Sequence, residues 1–344
     1  MAEESGLWSY LYSLSVQPAP ISDQQLAVAN LRPRLWNELL ERAEQAQLLA
    51  VWHEQLKLCT QVPSVAQTRM QWANTLATQQ LSSMHAALES LQQALSPFHP
   101  VLLKGAAYQV LQTDNAVGRV MSDIDILLPE QELASAERAL WLHGWDNRGK
   151  SDYDQSYYRR WMHELPPFIH RQSGAVLDLH HHWLPKTCRW QLNIDNVLQR
   201  ATKSPITGFK VPCLEDLCIH ACLHLLLSGE SIKGWRDLRD VHLLCQQVTD
   251  ENLRARALQL GVLEQVETVK QIALRSFQMG GSRLNWQQKL WQQALIPTKY
   301  RLSLIDNHAQ NAYYLYGHYL RMPWRLLLPH LIRKARIRLQ QKET

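Results

Sequence analysis

Two acids inside an apolar strand constrain this chain more than any other feature. Arg119-Val-Met-Ser-Asp-Ile-Asp-Ile-Leu-Leu128 reads as a β-strand carrying Asp123 and Asp125 two positions apart. Side chains alternate along a strand, so both carboxylates share one face while Ile124 and Ile126 point into a core. Adjacent carboxylates repel unless a cation lies between them. Mg²⁺ takes oxygen ligands and keeps positions open for phosphate oxygens. The strand is therefore expected to serve phosphate chemistry. The competing reading is a solvated strand edge or a turn cap.

The surrounding pattern predicts an α+β fold, a small sheet module flanked by N- and C-terminal helical regions. Residues from about Gln24 to Cys59 carry Leu31, Leu35, Leu39, Leu40 and Ala43 at helical spacing, with Pro33 marking a helix start. A second helix is expected from Ser64, after Pro63, to Leu95. The texture then changes. Val101-Leu-Leu103 followed by Lys104-Gly105-Ala106-Ala107 reads as strand, tight turn and helix. Glu130 to His143 reads as an amphipathic helix capped by Gly144. A hairpin follows, with arms His163–His170 and Ala175–Trp183 joined by Arg171-Gln-Ser-Gly174; Pro166 and Pro167 predict an edge or a bulge in its first arm. From Leu214 the chain reads as helices, including Leu214–Ser228 and Trp235–Val248, with breaks near Gly280-Gly281 and Pro297. The expected domains are residues 1–97, 98–185 and 186–344.

Asp178 has a place in the same scheme. In Val176-Leu-Asp-Leu-His180, alternation puts Val176, Asp178 and His180 on one face. If this strand pairs near the first, Asp178 joins Asp123 and Asp125. Three carboxylates can hold two divalent ions roughly 3.5–4 Å apart, the arrangement used for in-line phosphoryl displacement. An ordinary ion pair of Asp178 with Arg171 is the alternative, as is one between Arg119 and Asp114.

The order Leu103-Lys104-Gly105-Ala106, Arg119-x-x-Ser122-Asp123-x-Asp125 and Asp178-Leu-His180 resembles the DNA polymerase β-type nucleotidyltransferase superfamily. It is closer to a branch of uncharacterised bacterial nucleotidyltransferase-like proteins with an LKG…DIDLL…LH pattern. It is more distantly similar to the nucleotidyltransferase toxins of abortive-infection systems. The resemblance spans Val101 to Trp183, with a weaker echo to about Val248. It implies Mg²⁺-dependent transfer of an NMP from an NTP to a hydroxyl of an unidentified acceptor, through two Mg²⁺ ions. Asp123, Asp125 and Asp178 would be the catalytic carboxylates and metal ligands. Lys104, Gly105, Arg119 and Ser122 would bind the nucleotide. His180, His220 and Asp240 would form a supporting tier, although an ion pair or helix cap explains Asp240 equally well. One departure stands out: Ala106 occupies a position where the superfamily pattern has a phosphate-contacting Ser. A catalytically silent nucleotide- or partner-binding module is accordingly the alternative.

The remaining features bound other readings. His180-His181-His182, with His163 and His170 nearby, invites a zinc site, but consecutive strand residues face opposite ways and cannot all bind one ion. His220 and His224 share a helix face without a further ligand at standard spacing. Six cysteines contain no CxxC pair and read as reduced. The net charge is +5, yet Arg321–Thr344 holds seven Lys/Arg and one Glu, which leaves the other 320 residues at about −1. That tail reads as an ordinary helix, with contact to RNA or an anionic membrane surface as alternatives. The start lacks a signal-peptide pattern and no segment is long and apolar enough to span a bilayer, so a cytoplasmic protein, peripheral to the membrane at most, is expected.

Overall fold

The Asp-bearing strand is short and central. The computed structural model describes residues 15–16, 31–147, 152–204, 206–277, 283–295, 304–323 and 325. Within them a seven-stranded mixed sheet runs in the order β3-β4-β5-β2-β1-β7-β6. The strands are β1 (Val101–Leu102), β2 (Ile124–Leu127), β3 (Trp145–Asp146), β4 (Phe168–His170), β5 (Val176–His180), β6 (Thr202–Lys203) and β7 (Lys210–Val211). β2 has β1 antiparallel on one side and β5 parallel on the other. All four β2 residues are buried, as are Leu177 and Leu179 of β5. Burying side chains of this kind contributes about 1.5–3 kcal/mol each, which fixes the register that aligns the acids.

Helices flank the sheet module in sequence on both sides, as the pattern predicts. α1 (Pro33–Gln45) begins at Pro33, and α2 (Leu49–Leu56) follows after Gln47, whose φ of 58° turns the chain. The single helix expected to Cys59 is therefore two. α3 (Ser64–Ala94) packs against α2 and against α5 (Leu133–Leu142), which follows α4 (Lys104–Leu111) in the sheet module. After α6 (Asp152–Trp161) and α7 (Asp195–Arg200) come α8 (Leu214–Ser228), α9 (Gly234–Gln246), α10 (Asp250–Gln259), α11 (Leu263–Ser276), α12 (Trp286–Leu295) and α13 (Leu304–Arg321). α8 packs on α4, and α9 packs on the turn Asp114–Ala116, so the second helical region closes over the β1–α4 corner. The last two sheet strands come from residues 202–211, beyond position 185.

The strand expected over Arg119–Leu128 is confined to Ile124–Leu127. Before it, Gly118 has φ +66°, and a Cβ there would lie 2.6 Å from the Val51 backbone nitrogen, so the chain packs tightly against α2 before it reaches the sheet at Ile124. In the hairpin, Pro166 and Pro167 fall between β4 and an isolated Glu164–His180 bridge. Lacking N–H groups, they break the ladder as a bulge would. No described helix is long and apolar enough to cross a membrane. Of residues 324–344 only Arg325 is described, so the expected contacts of the basic tail lie outside the described residues, as do the breaks near Gly280-Gly281 and Pro297.

Candidate active site

The β1–α4 corner supplies the first functional group. Leu103 donates its N–H to the Asp125 carbonyl at 2.9 Å, holding the corner against β2. The next residue, Lys104, has φ 44°, a conformation rare outside glycine and retained where its surroundings enforce it. Its Nζ lies 2.6 Å from Asp125 Oδ1. His180 Nε2 lies 2.9 Å from the same oxygen. Burial alone would raise the Asp125 pKa, but the Lys104 charge and the His180 hydrogen bond hold it well below the usual carboxylate range. Burial likewise opposes the Lys104 charge, and Asp125 overcomes it and holds the ammonium above its ordinary value.

Asp178 stands beside Asp125 as its register partner across the parallel strands. Its environment is the opposite. One carboxylate oxygen, Oδ1, is buried without a hydrogen-bond partner. Burial, with the charges of Asp125 and Glu164, pushes its pKa up to about 7. The two neighbouring carboxylates are thus pushed in opposite directions, Asp178 up by burial and by the charges of Asp125 and Glu164, and Asp125 down by Lys104 and His180.

A cavity of about 460 Å³ opens over this pair. Lys104, Gly105, Arg119, Ser122, Asp123, Asp125, Asp178 and Asp240 all line it. Asp123 precedes β2 rather than lying in it, and Ser122 donates to its Oδ1 at 3.2 Å. Arg119 Nε lies 2.9 Å from Asp240 Oδ2, with its guanidinium 5.3 Å from the Tyr108 ring centroid. Arg119 therefore pairs with Asp240 and not with Asp114, and Arg171 pairs with Asp146 and not with Asp178. Asp240 ties α9 to the loop before β2.

Gly105 lines the cavity and is tightly packed from behind. A Cβ there would meet Arg119 Nη1 at 2.6 Å and Met121 Sδ at 2.8 Å, so its missing side chain makes room for these two residues. Ala106, at the position where the resemblance has Ser, is buried in the core and does not line the cavity.

The histidines separate. His180 supports Asp125. His220 does not line the cavity; it stacks on Trp183 with centroids 4.9 Å apart, while His224, one turn along α8, does line it. His181 is buried, and His182 is fixed between the Leu192 carbonyl and the Leu184 amide. Sequence reasoning gave no role to Glu164, which lines the cavity with His163, its Oε2 3.4 Å from His180 Nε2. Extending the hairpin pairing past the two prolines to Glu164–His180 would have found it. Lys233, from the turn before α9, also lines the cavity and makes no ion pair among the described residues.

A second cavity of about 780 Å³ lies between α3 and the β4–β5 turn. Met121, Ser122 and Asp123 line both cavities, so the two meet at the acidic loop. Gln80, Ser83, Ser90, Gln172 and Ser173 give the second cavity hydroxyls and amides; among the described residues no Lys or Arg lines it.

A family model described as "uncharacterised nucleotidyltransferase" matches residues 32–278. No curated protein matches the chain.

Proposed function

The chain belongs to the uncharacterised nucleotidyltransferase family, and from that membership and the geometry of the cavity we propose that it moves an NMP from an NTP to an acceptor hydroxyl. The observation that carries this reading is the Asp125–Asp178 pair, aligned on parallel strands with Asp178 Oδ1 buried and unpartnered. A divalent cation fits there. Asp123, Asp125, Asp178 and Glu164 line the cavity beside Lys104, and carboxylate oxygens are the donors that Mg²⁺ takes. Asp123, Asp125 and Asp178 would hold the ion or ions. When bound, Mg²⁺ supplies charge neutralisation on the phosphates and orients the triphosphate.

The chain's own groups do the rest. Lys233 offers positive charge toward the phosphates, Lys104 reaches them only while shared with Asp125, and the first turn of α4 offers backbone amides. Arg119 is held by Asp240 and presents an already compensated charge. The acceptor oxygen attacks the α-phosphorus. The bond from that phosphorus to the bridging oxygen breaks, and pyrophosphate leaves with the electron pair. Asp178, with one carboxylate oxygen free of protein donors, receives the acceptor proton. His180 and Lys104 keep Asp125 ionised and oriented. The second cavity, which meets the site at Asp123, receives the acceptor. Its lining of hydroxyls and amides, with Asp123 at one edge and no Lys or Arg among the described residues, suits a neutral hydroxylated molecule better than a polyanion.

The test is calorimetry of each NTP with Mg²⁺, followed by pyrophosphate measurement with cell extract as the acceptor source. Binding of an NTP with pyrophosphate release that Asp178→Asn abolishes supports the proposal. Binding with no release under any acceptor condition leaves a nucleotide-binding module instead.

A further inference from the structure

We infer that His163, Glu164 and His180 form a binding site for a first-row transition-metal dication, with Asp125 as an adjoining ligand. One donor atom from each of the three lies within 4.8 Å of the others. His180 Nε2 is 3.4 Å and His163 Nε2 is 3.9 Å from Glu164 Oε2. Asp125 Oδ1 is 2.9 Å from His180 Nε2. Ligands bound at roughly 2.0–2.2 Å from one ion lie about 3–4 Å apart, so these donors need little movement to converge.

The chain goes out of its way to build this cluster. The bulge at Pro166-Pro167 isolates the Glu164–His180 bridge from the regular ladder and sets His163 and Glu164 into the cavity wall. Leu165 donates to the Leu179 carbonyl and His181 to the His163 carbonyl, both at 2.9 Å, so backbone bonds pin the cluster on both sides. Both imidazoles turn Nε2 toward Glu164, with Nδ1 on the far side of each ring, and Asp178 Oδ1 beside them is buried and unbonded. Buried polar groups are ordinarily bonded. Charge points the same way. Asp123, Asp125, Glu164 and Asp178 face the cavity with Lys104 as the cation bonded to them; Arg119 and Arg236 pair with Asp240 and Asp237, and Lys233 and Arg321 lie elsewhere on the wall. A dication offsets that excess, replacing the proton that His180 shares with Asp125.

The donor set selects the metal class. Two imidazoles and carboxylates suit Mn²⁺, Fe²⁺, Co²⁺ or Zn²⁺, whereas Mg²⁺ prefers oxygen alone. The site adjoins the Asp123/Asp125/Asp178 carboxylates, so its ion stands beside the nucleotide phosphates of the proposed reaction. The inference rests on that reading only for what the ion does, and its binding is measured without nucleotide.

The experiment is a Co²⁺ titration of the full chain after chelator treatment, read by visible d–d absorption. One Co²⁺ per chain is expected, retained against a hundredfold excess of Mg²⁺. His163→Gln and Glu164→Gln, at the cavity wall, should each weaken Co²⁺ binding by at least about tenfold, with circular dichroism unchanged. No Co²⁺ spectrum, displacement by Mg²⁺, or unchanged affinity in both variants overturns the inference. So does an intense near-ultraviolet thiolate band, which would put the ion on cysteines such as Cys218 and Cys245, whose sulfurs are 3.0 Å apart. If Co²⁺ binds as expected but no nucleotidyl transfer is found, the reaction fails and the metal site stands; the reverse result has the opposite meaning.

Discussion

Lys104 Nζ rests 2.6 Å from Asp125 Oδ1, so a lysine at the strand-to-helix corner neutralises the central carboxylate of the site. The pair is buried on the acid side and about one-fifth exposed on the lysine side. Removing one partner leaves a buried charge uncompensated. Lys104→Met is expected to lose about 2–4 kcal/mol in urea denaturation and to abolish transfer. An unchanged midpoint would mean that Asp125 finds another counter-charge.

Asp178 gives a pH-dependent signature. Its folded pKa of about 7 stands above the ordinary aspartate value of 3.8, so the folded state holds the proton more tightly than the unfolded one. Its contribution is fully present at low pH and is lost as pH rises toward 7. Asp178→Asn should therefore raise the melting temperature of metal-free protein at pH 8 by about 2–4 °C, and by little at pH 4. Thermal melts at the two pH values check this. Equal effects at both would contradict the raised pKa.

The Arg119–Asp240 pair joins two parts of the chain far apart in sequence. Both side chains are at most one-tenth exposed. Arg119→Met alone should cost about 3 kcal/mol, and Arg119→Met with Asp240→Leu should recover part of that loss, because the double variant leaves no orphaned charge. A double-mutant cycle on denaturation midpoints measures the coupling.

Ser83 is exposed on α3 and lines the second cavity. Ser83→Trp should fill part of that space without disturbing the core. Transfer to the extract acceptor is expected to fall at least about tenfold while calorimetric NTP affinity stays the same, as expected for removing an acceptor contact alone. A parallel loss of NTP affinity would move the nucleotide into the second cavity.

Much of this arrangement was legible in the sequence because periodicity carries it. The α3 and α8 boundaries follow the apolar spacing and flanking breakers, and alternation puts Asp178 and His180 on one face of β5. What escaped depends on long-range packing. Gly118 packs on Val51 across the fold, ahead of β2, and Asp240 captures Arg119 from 121 positions away. Alternation along one strand says nothing about either. Glu164 was hidden because two prolines interrupt the strand that would have placed it opposite His180.

The central claim is that Asp125 and Asp178 organise nucleotidyl transfer. The most direct measurement compares α-labelled and γ-labelled NTPs incubated with the protein, Mg²⁺ and cell extract, for the natural chain and for Asp125→Asn. The account predicts an acceptor that carries the α label, γ label recovered only in pyrophosphate, and neither product with Asp125→Asn. Transfer of the γ label, or α labelling that Asp125→Asn leaves intact, would contradict it.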